Sequence, residues 1–229
     1  MAVTPDYDAD PERFRLASRV TRMYLIGARS LHEHVASKLL HSAARRVLDI
    51  GCGEGALNDA LPGAPPFRLV GLDASATMLR AHPGPSMRAD AARLPFRDGA
   101  FDAAVAVNML WHLDDPRVAL REARRVLAPG GLLLVSAICR TDSPELAPVW
   151  RPEPTPFDAE EAPAQVCEVF GDVEVERWDA PLITLPDRTA VRDYLVARRM
   201  PRDQAAEAAG RLRTPLPVTK RGALVLARR

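Results

Sequence analysis

A glycine-rich turn directly after a short apolar run is the feature that most constrains the fold of this chain. Residues 47–50 read Val-Leu-Asp-Ile, and residues 51–55 read Gly-Cys-Gly-Glu-Gly. Short apolar runs next to glycine are typical of buried parallel strands. Glycines in the turn allow a ligand to touch the backbone and permit φ angles above zero. Together with a helix expected from Ala56, the strand and turn predict the nucleotide-binding corner of an α/β protein.

The charges around the turn favour a cationic nucleoside over a dinucleotide. The glycine spacing satisfies the loose dinucleotide fingerprint, with Asp73 about 20 residues further on. Asp49 at the end of the strand and Glu54 inside the turn would both repel a diphosphate held at the helix N-terminus. The ammonium and sulfonium groups of S-adenosylmethionine would instead be attracted. A nicotinamide dinucleotide stays open as the alternative ligand.

The acidic residue and its G-x-G-x-G turn resemble the first motif of the class I S-adenosylmethionine-dependent methyltransferases, in particular their UbiE-like, methyltransferase-11 group. The resemblance extends by motif over residues 43–140. It implies an α/β fold with a Rossmann-like, doubly wound, seven-stranded sheet, mostly parallel with an antiparallel C-terminal strand, and helices on both faces. It also implies S-adenosylmethionine as cofactor and S-adenosylhomocysteine as product.

Composition restricts the class of protein further. A chain of 229 residues with 47% hydrophobic and 27% charged residues suits one globular domain. The formal net charge of +1 gives no electrostatic reason to expect nucleic acid as the main partner. No run of about 18 apolar residues predicts a membrane span, and the N-terminus is unlike a signal peptide. Cys52, Cys139 and Cys167 fit a reducing cytoplasm and form no zinc pattern, so we expect no metal.

We expect one methyltransferase domain over residues 1–229, divided into three parts. Residues 1–42 form an N-terminal helical cap, residues 43–140 the cofactor-binding core, and residues 141–229 a loop, a helical insertion and the last strands. The resemblance implies that the cap covers the substrate side, which makes Tyr24 a candidate pocket residue. Ordinary core packing is the alternative for this side chain.

The second predicted strand ends in a carboxylate. Residues 67–73 read as an apolar strand that closes on Asp73. At the carboxyl end of a strand beside the turn, this carboxylate can accept both ribose hydroxyls of a nucleoside. A cap on the helix expected near Ser75 is compatible with that role. Met78, on this helix, fits either the core or the border of the adenine.

The third predicted strand, residues 86–89, leads to another carboxylate. The resemblance assigns the adenine amino group to Asp90 and contact of a backbone N–H with the ring to Ala91. A loop carboxylate that caps a turn is the alternative for Asp90. The candidate cofactor residues are thus Asp49, Gly51, Cys52, Gly53, Gly55, Asp73, Ala74, Met78, Asp90, Ala91 and Asn108.

Substrate residues are expected after the fourth and fifth strands, residues 101–108 and 132–138. The resemblance places the end of the fourth strand beside the methyl donor, so Asn108, Trp111 and His112 fall where a substrate would arrive. His112 is the candidate general base for a hydroxyl nucleophile, or it merely lines the pocket. The proline-rich loop over residues 141–157 predicts a lid across the pocket mouth, with Trp150 and Arg151 as candidate lid residues.

The C-terminal third predicts antiparallel sixth and seventh strands with helices between them. Residues 173–178 and 223–227 read as the two strands, and residues 187–200 and 203–212 as helices. Seven arginines within residues 187–213 either attract an anionic substrate or form a solvated helix face, which is the commoner arrangement. They are Arg188, Arg192, Arg198, Arg199, Arg202, Arg211 and Arg213.

The sequence therefore predicts a cytoplasmic enzyme, a monomer or homodimer, that transfers a methyl group to an oxygen, nitrogen or carbon atom of a small molecule. Richness in proline, alanine and arginine hints at bacterial specialised metabolism. Two alternatives stay open: an NAD(P)-dependent oxidoreductase, and a cofactor-binding partner protein of the same fold that does not methylate. Methylation of RNA is disfavoured by the charge balance.

Overall fold

Seven strands form one sheet in a computed structural model that describes residues 6–27 and 29–229. The strands are β1 (Arg46–Ile50), β2 (Arg68–Asp73), β3 (Ser86–Arg88), β4 (Phe101–Ala106), β5 (Leu127–Ile138), β6 (Val173–Leu185) and β7 (Leu216–Arg228). Their order across the sheet is β3-β2-β1-β4-β5-β7-β6. Strands β1 to β5 pair in parallel, whereas β7 runs antiparallel to both β5 and β6. This arrangement confirms the predicted doubly wound fold with an antiparallel last strand.

Nine α-helices surround the sheet in the described part of the chain. They are α1 (Asp6–Ala9), α2 (Pro11–Tyr24), α3 (Leu31–Leu40), α4 (Ala56–Asp59), α5 (Ala76–Leu79), α6 (Pro116–Val126), α7 (Ala162–Phe170), α8 (Arg188–Val196) and α9 (Arg202–Gly210). The start of α2 follows from local chemistry, because the Asp10 side chain accepts a hydrogen bond from the Arg13 N–H at 3.1 Å and Pro11 takes the first position. None of these helices has the length and hydrophobicity needed to cross a bilayer.

Alternate residues of β5 face two different cores. Leu133 and Val135 pack in the core that includes α6 and α7, whereas Leu134 packs in the core that includes α3 and α4. All three side chains are fully buried. Burial of an aliphatic side chain of this size contributes roughly 1.5–3 kcal/mol, so helical layers on both faces stabilise the sheet.

A third core joins the N-terminal helix to the helical insertion. Leu16 and Val20 of α2 pack with Val191 and Leu195 of α8, next to the far ends of β6 and β7. Tyr24 packs against this same core. The structure therefore places Tyr24 in ordinary core packing, the alternative considered for this side chain, and not among the described residues that line the cleft.

The last two strands are much longer than predicted. β6 continues to Leu185 and β7 begins at Leu216, and the two pair along almost their whole length with one register shift after Pro181. Proline and charged residues interrupt the apolar alternation in both segments, which hid the strands from a pattern-based reading. The extended hairpin carries α8 and α9 past the edge of the sheet.

Candidate cofactor and substrate site

The glycine-rich turn leaves the end of β1 in a conformation that requires glycine. Gly51, Gly53 and Gly55 have φ angles of +72°, +54° and +90°, which confirms the predicted positive values. A Cβ atom on Gly51 would lie 2.6 Å from the Cβ of Met109. The turn is therefore constrained both by its own backbone and by the segment after β4 that lies against it.

Four backbone N–H groups of the turn already have acceptors inside the protein. Gly51 and Cys52 donate to the carbonyl oxygen of Leu72 at 2.7 and 3.0 Å, Gly53 donates to Asp73 Oδ2 at 2.9 Å, and Gly55 donates to the carbonyl oxygen of Cys52 at 3.0 Å. Dinucleotide-binding turns present such N–H groups to a diphosphate. These internal hydrogen bonds oppose the oxidoreductase alternative.

Asp73 holds the turn and faces the cleft at the same time. Its Oδ2 accepts the Gly53 N–H, and its Oδ1 accepts the Ser75 N–H at 2.8 Å. A carboxylate has about four acceptor sites, so both oxygens keep capacity for further donors. The cap on the following helix belongs to Ser75, whose Oγ accepts the Met78 N–H at 3.1 Å. Ala74 and Met78 also line the cleft here.

Two further acidic residues near the turn differ in their surroundings, because one is buried and the other is paired with an arginine. Asp49 is 4% exposed, and burial, reinforced by the charge of Asp73, raises its pKa to about 7. Glu54 instead accepts a hydrogen bond from Arg15 Nε at 2.9 Å and forms an ion pair with the same guanidinium. The expectation that Glu54 adds uncompensated negative charge is therefore wrong, since α2 supplies its partner. Asp49 and Asp73 carry the negative character of this corner.

Cys52 contributes its backbone and not a reactive thiol to the turn. The side chain is buried, and burial raises the pKa of the thiol. Its Sγ packs against β2, where a Cβ added to Gly71 would lie 2.7 Å away. We therefore assign no nucleophilic chemistry to this cysteine.

Asp90 and Ala91 follow β3 and line the cleft beside Asp73. Oδ1 of Asp90 accepts the Ala92 N–H at 2.8 Å, which is the turn-capping bond expected as the alternative role. The side chain is exposed, whereas Ala91 is buried. Capping uses only part of the carboxylate, so the geometry is compatible with both roles.

Asn108 adopts a left-handed backbone at the end of β4, with φ +52°. Its N–H donates to Ser136 Oγ at 2.9 Å, and its Oδ1 accepts from the same hydroxyl at 3.0 Å. The indole N–H of Trp111 donates to the Asn108 carbonyl oxygen at 2.8 Å. These bonds stabilise an otherwise unfavourable conformation and fix the segment that carries Trp111 and His112 into the cleft.

His112 contacts a residue that the sequence did not reveal. The hydroxyl of Tyr7 in α1 is hydrogen-bonded to His112 Nε2, and the two rings meet edge to face with centroids 5.0 Å apart. The Trp111 ring lies on the other side, with its centroid 3.5 Å from that of His112. Since α1 has only four residues, it offers no periodic pattern from which the role of Tyr7 could be predicted.

Asp8 anchors α1 to the loop that follows β2. Its Oδ1 accepts hydrogen bonds from Ser75 Oγ and, at 3.1 Å, from the Thr77 N–H. These bonds hold the pKa of the Asp8 carboxyl below its usual value. Helix α1 thus contacts the segment after Asp73 through Asp8 and His112 through Tyr7.

The cleft is large enough for two ligands. Its volume is about 2920 Å³, whereas single small-molecule sites typically measure roughly 300–1,000 Å³. The glycine turn, Asp73, Asp90 and Asn108 border one part, with Asp49 buried beneath the turn. Trp111, His112 and Trp150 line the other part, together with Arg198 and Arg199 from the segment that follows α8.

The strand order and the glycine turn with carboxylates after β1, β2 and β3 define a class I S-adenosylmethionine-dependent methyltransferase domain. Residues 48–135 match the family described as methyltransferase domain. Over this stretch, which includes the glycine turn and strands β2 to β4, the chain is similar to that family, and S-adenosylmethionine is the cofactor of the class.

Individual relatives agree with this assignment. The chain is 30% identical over 125 residues to the O-methyltransferase resE of Aspergillus sclerotiorum, which covers 50% of this chain and 47% of the relative. It is 33% identical over 153 residues to the demethylmenaquinone methyltransferase of Lactiplantibacillus plantarum, which covers 59% of this chain and 65% of the relative. The chain spans about half the length of the curated relatives it matches.

The fold extends over the whole chain. The crystal structure of the [4+2]-cyclase SpnF aligns with a TM-score of 0.67 over 98% of this chain and 94% of that one, at 20% identity. At this level of identity the similarity shows the architecture alone. It includes the hairpin of β6 and β7, which the family match does not reach.

Proposed function

We propose that this protein binds S-adenosylmethionine and transfers its methyl group to an oxygen, nitrogen or carbon atom of a small molecule. The observation that carries the proposal is the state of the glycine turn. Four of its N–H groups are occupied internally, while Asp73 holds the turn and offers acceptors to the cleft. This corner suits a ligand with hydroxyl donors and positive charge better than one with a diphosphate.

The donor site is built from the ends of the first four strands. We assign the ribose hydroxyls to Asp73, the adenine amino group to Asp90, and the ring edge to Ala91 and Met78. The backbone of residues 51–55 and Asn108, with Asp49 beneath them, borders the part that would hold the charged amino-acid end. Each of these groups lies at the cleft or directly under it.

S-adenosylmethionine supplies a reactive methyl group and a neutral thioether leaving group. The protein has to align the acceptor atom and exclude water. Trp111 and Trp150 offer flat apolar surfaces for alignment. We assign proton removal from a hydroxyl acceptor to His112, with Tyr7 orienting its ring through the hydrogen bond at Nε2.

Several finer features belong to the same proposal. We place the protein in the cytoplasm, as a monomer or homodimer that acts in bacterial specialised metabolism, with residues 1–229 as one domain. The net charge of +1 supports a small molecule over nucleic acid as substrate.

Calorimetric titration tests the proposal directly. S-adenosylmethionine and S-adenosylhomocysteine should each bind with 1:1 stoichiometry, whereas NAD and NADP should not compete. Saturation by a nicotinamide dinucleotide would reverse the assignment. Release of S-adenosylhomocysteine on incubation with a fractionated small-molecule extract would establish turnover.

Donor affinity should rise with pH through neutrality. Because the pKa of Asp49 is raised to about 7, most molecules carry this carboxyl in its protonated form below that pH. A cationic ligand favours the ionised form, so binding should release a proton and strengthen from about pH 6 to pH 8 before levelling off. Calorimetry of S-adenosylmethionine binding in buffers of different ionisation enthalpy measures both effects. In Asp49→Asn the proton release should disappear; proton release that persists in this variant would assign it to another group.

Loss of the Asp8 side chain, which anchors α1, should shorten the residence time of the bound ligand. Asp8→Ala deletes the bonds from Ser75 and Thr77, so α1 should open more often and S-adenosylhomocysteine should dissociate about tenfold faster. Stopped-flow fluorescence with excess competing ligand measures the dissociation rate. The exposed Asp172, which is not part of the cleft, gives the matched control Asp172→Ala. Equal dissociation rates in the two variants would show that α1 does not retain the ligand.

A further inference from the structure

The guanidinium group of Arg198 contacts two aromatic rings on the acceptor side of the cleft. Its guanidinium carbon lies 3.3 Å from the ring centroid of Tyr194 and 5.5 Å from that of Trp150. One guanidinium nitrogen, Nη1, donates to the carbonyl oxygen of Tyr194 at 3.1 Å. Stacking and this bond hold the group in place, and a guanidinium has five N–H donors in all.

Two neighbouring cations that line the cleft, Lys220 and Arg221, differ from Arg198 because they have carboxylate partners. Lys220 is paired with Asp142, whose side chain is buried, and Arg221 is paired with Asp179 at 2.9 Å. Within residues 6–27 and 29–229, no carboxylate lies within ion-pair distance of Arg198. Its positive charge is therefore directed at the cleft without compensation from an acidic side chain.

The residue next to Arg198 contacts a tryptophan that is hydrogen-bonded to the donor side of the cleft. Arg199 lies with its guanidinium carbon 5.9 Å from the ring centroid of Trp111. Trp111 is bonded in turn to the carbonyl oxygen of Asn108. Trp111 and Trp150 line the same cleft as Asn108 and Arg198, so we expect a flat molecule that lies against both rings to extend from the donor side toward Arg198.

We propose that the acceptor is an aromatic compound with a carboxylate or similar anionic group, which Arg198 binds while the ring lies against Trp111 and Trp150. This inference rests on the proposed function, because it makes the arginine side of the cleft the acceptor site. A charge-assisted bond from a stacked, partly buried guanidinium is among the stronger polar contacts in proteins. Arg198 thereby sets both the charge and the orientation of the acceptor.

Matched aromatic probes test the proposal in the chain of 229 residues. Binding of 4-hydroxybenzoate and of 4-hydroxybenzamide is followed by tryptophan fluorescence, with and without saturating S-adenosylhomocysteine. The carboxylate should bind about tenfold more tightly than the amide. Arg198→Met should abolish this preference, whereas the control Arg188→Met should retain it, because Arg188 lies at the start of α8, is exposed and does not line the cleft.

The outcomes separate this inference from the proposed function. Equal affinity for the two probes, absence of carboxylate binding at concentrations up to about 10 mM, or a preference that survives in Arg198→Met would overturn the inference. Calorimetry with S-adenosylhomocysteine, performed on every variant, reports independently on the donor site and on correct folding. Donor binding without anion preference would reject only the acceptor class. Anion preference without donor binding would reject the proposed function.

Discussion

Replacing Gly51 with alanine is expected to destabilise the protein by about 2–4 kcal/mol and to abolish donor binding. The left-handed φ of +72° costs a non-glycine residue about 1–2 kcal/mol. The new methyl group would also lie 2.6 Å from the Cβ of Met109, and relief of such overpacking typically costs about 1–3 kcal/mol. Met109 directly follows Asn108, so any displacement would reach the segment that carries Trp111 and His112.

Chemical denaturation gives the stability change, and calorimetry with S-adenosylmethionine gives the loss of binding. Gly63→Ala is the matched control, because nothing lies within 4 Å of a Cβ at this position. It should alter stability by less than about 1 kcal/mol and leave binding intact. A Gly51→Ala variant as stable as the control would mean that the turn and the segment after β4 are not in contact.

The second large effect is expected at Asp73. Asp73→Ala should weaken S-adenosylmethionine binding by about 1–3 kcal/mol, or roughly 5- to 150-fold, because ribose hydroxyls would lose a charged acceptor. The substitution also removes the acceptor of the Gly53 and Ser75 N–H groups. Part of the loss would then come from a less ordered turn.

Asp73→Asn separates the two contributions. Its amide oxygen can still accept one backbone N–H, so the turn should stay closer to its native form while the charge is lost. Isothermal titration of both variants, with Asp172→Ala as a surface control, measures the difference. Unchanged affinity in Asp73→Ala would remove the ribose role and with it the register assigned to β2.

The sequence was most informative about residues at the carboxyl ends of the strands. The turn after β1, Asp73 after β2, and Asp90 after β3 lie where predicted, because buried parallel strands read as apolar runs and their carboxyl ends share one edge of the sheet. The roles of the site residues in binding stay predictions. Their placement at one cleft follows from the strand order.

The features of the site that the sequence did not predict all depend on contacts between segments that are far apart in the chain. Glu54 looked uncompensated because its partner, Arg15, lies 39 residues earlier in the chain. Tyr7 meets His112 across 105 residues, from a helix of only one turn. Arg198 belonged to a series of arginines whose commoner position is a solvated helix face, and only the packing of α8 beside β6 and β7 turned it toward Trp150.

The sequence by itself determined the fold class, the glycine turn and the series of carboxylates at strand ends. Local rules are sufficient for these features, since apolar periodicity, glycine φ preference and the direction of parallel strands depend on neighbouring residues. Only the tertiary structure decided which charges are neutralised, which aromatic rings face the cleft, and that four N–H groups of the turn already have acceptors. Those properties depend on side chains brought together from separate elements, and no spacing along the chain encodes their final distances.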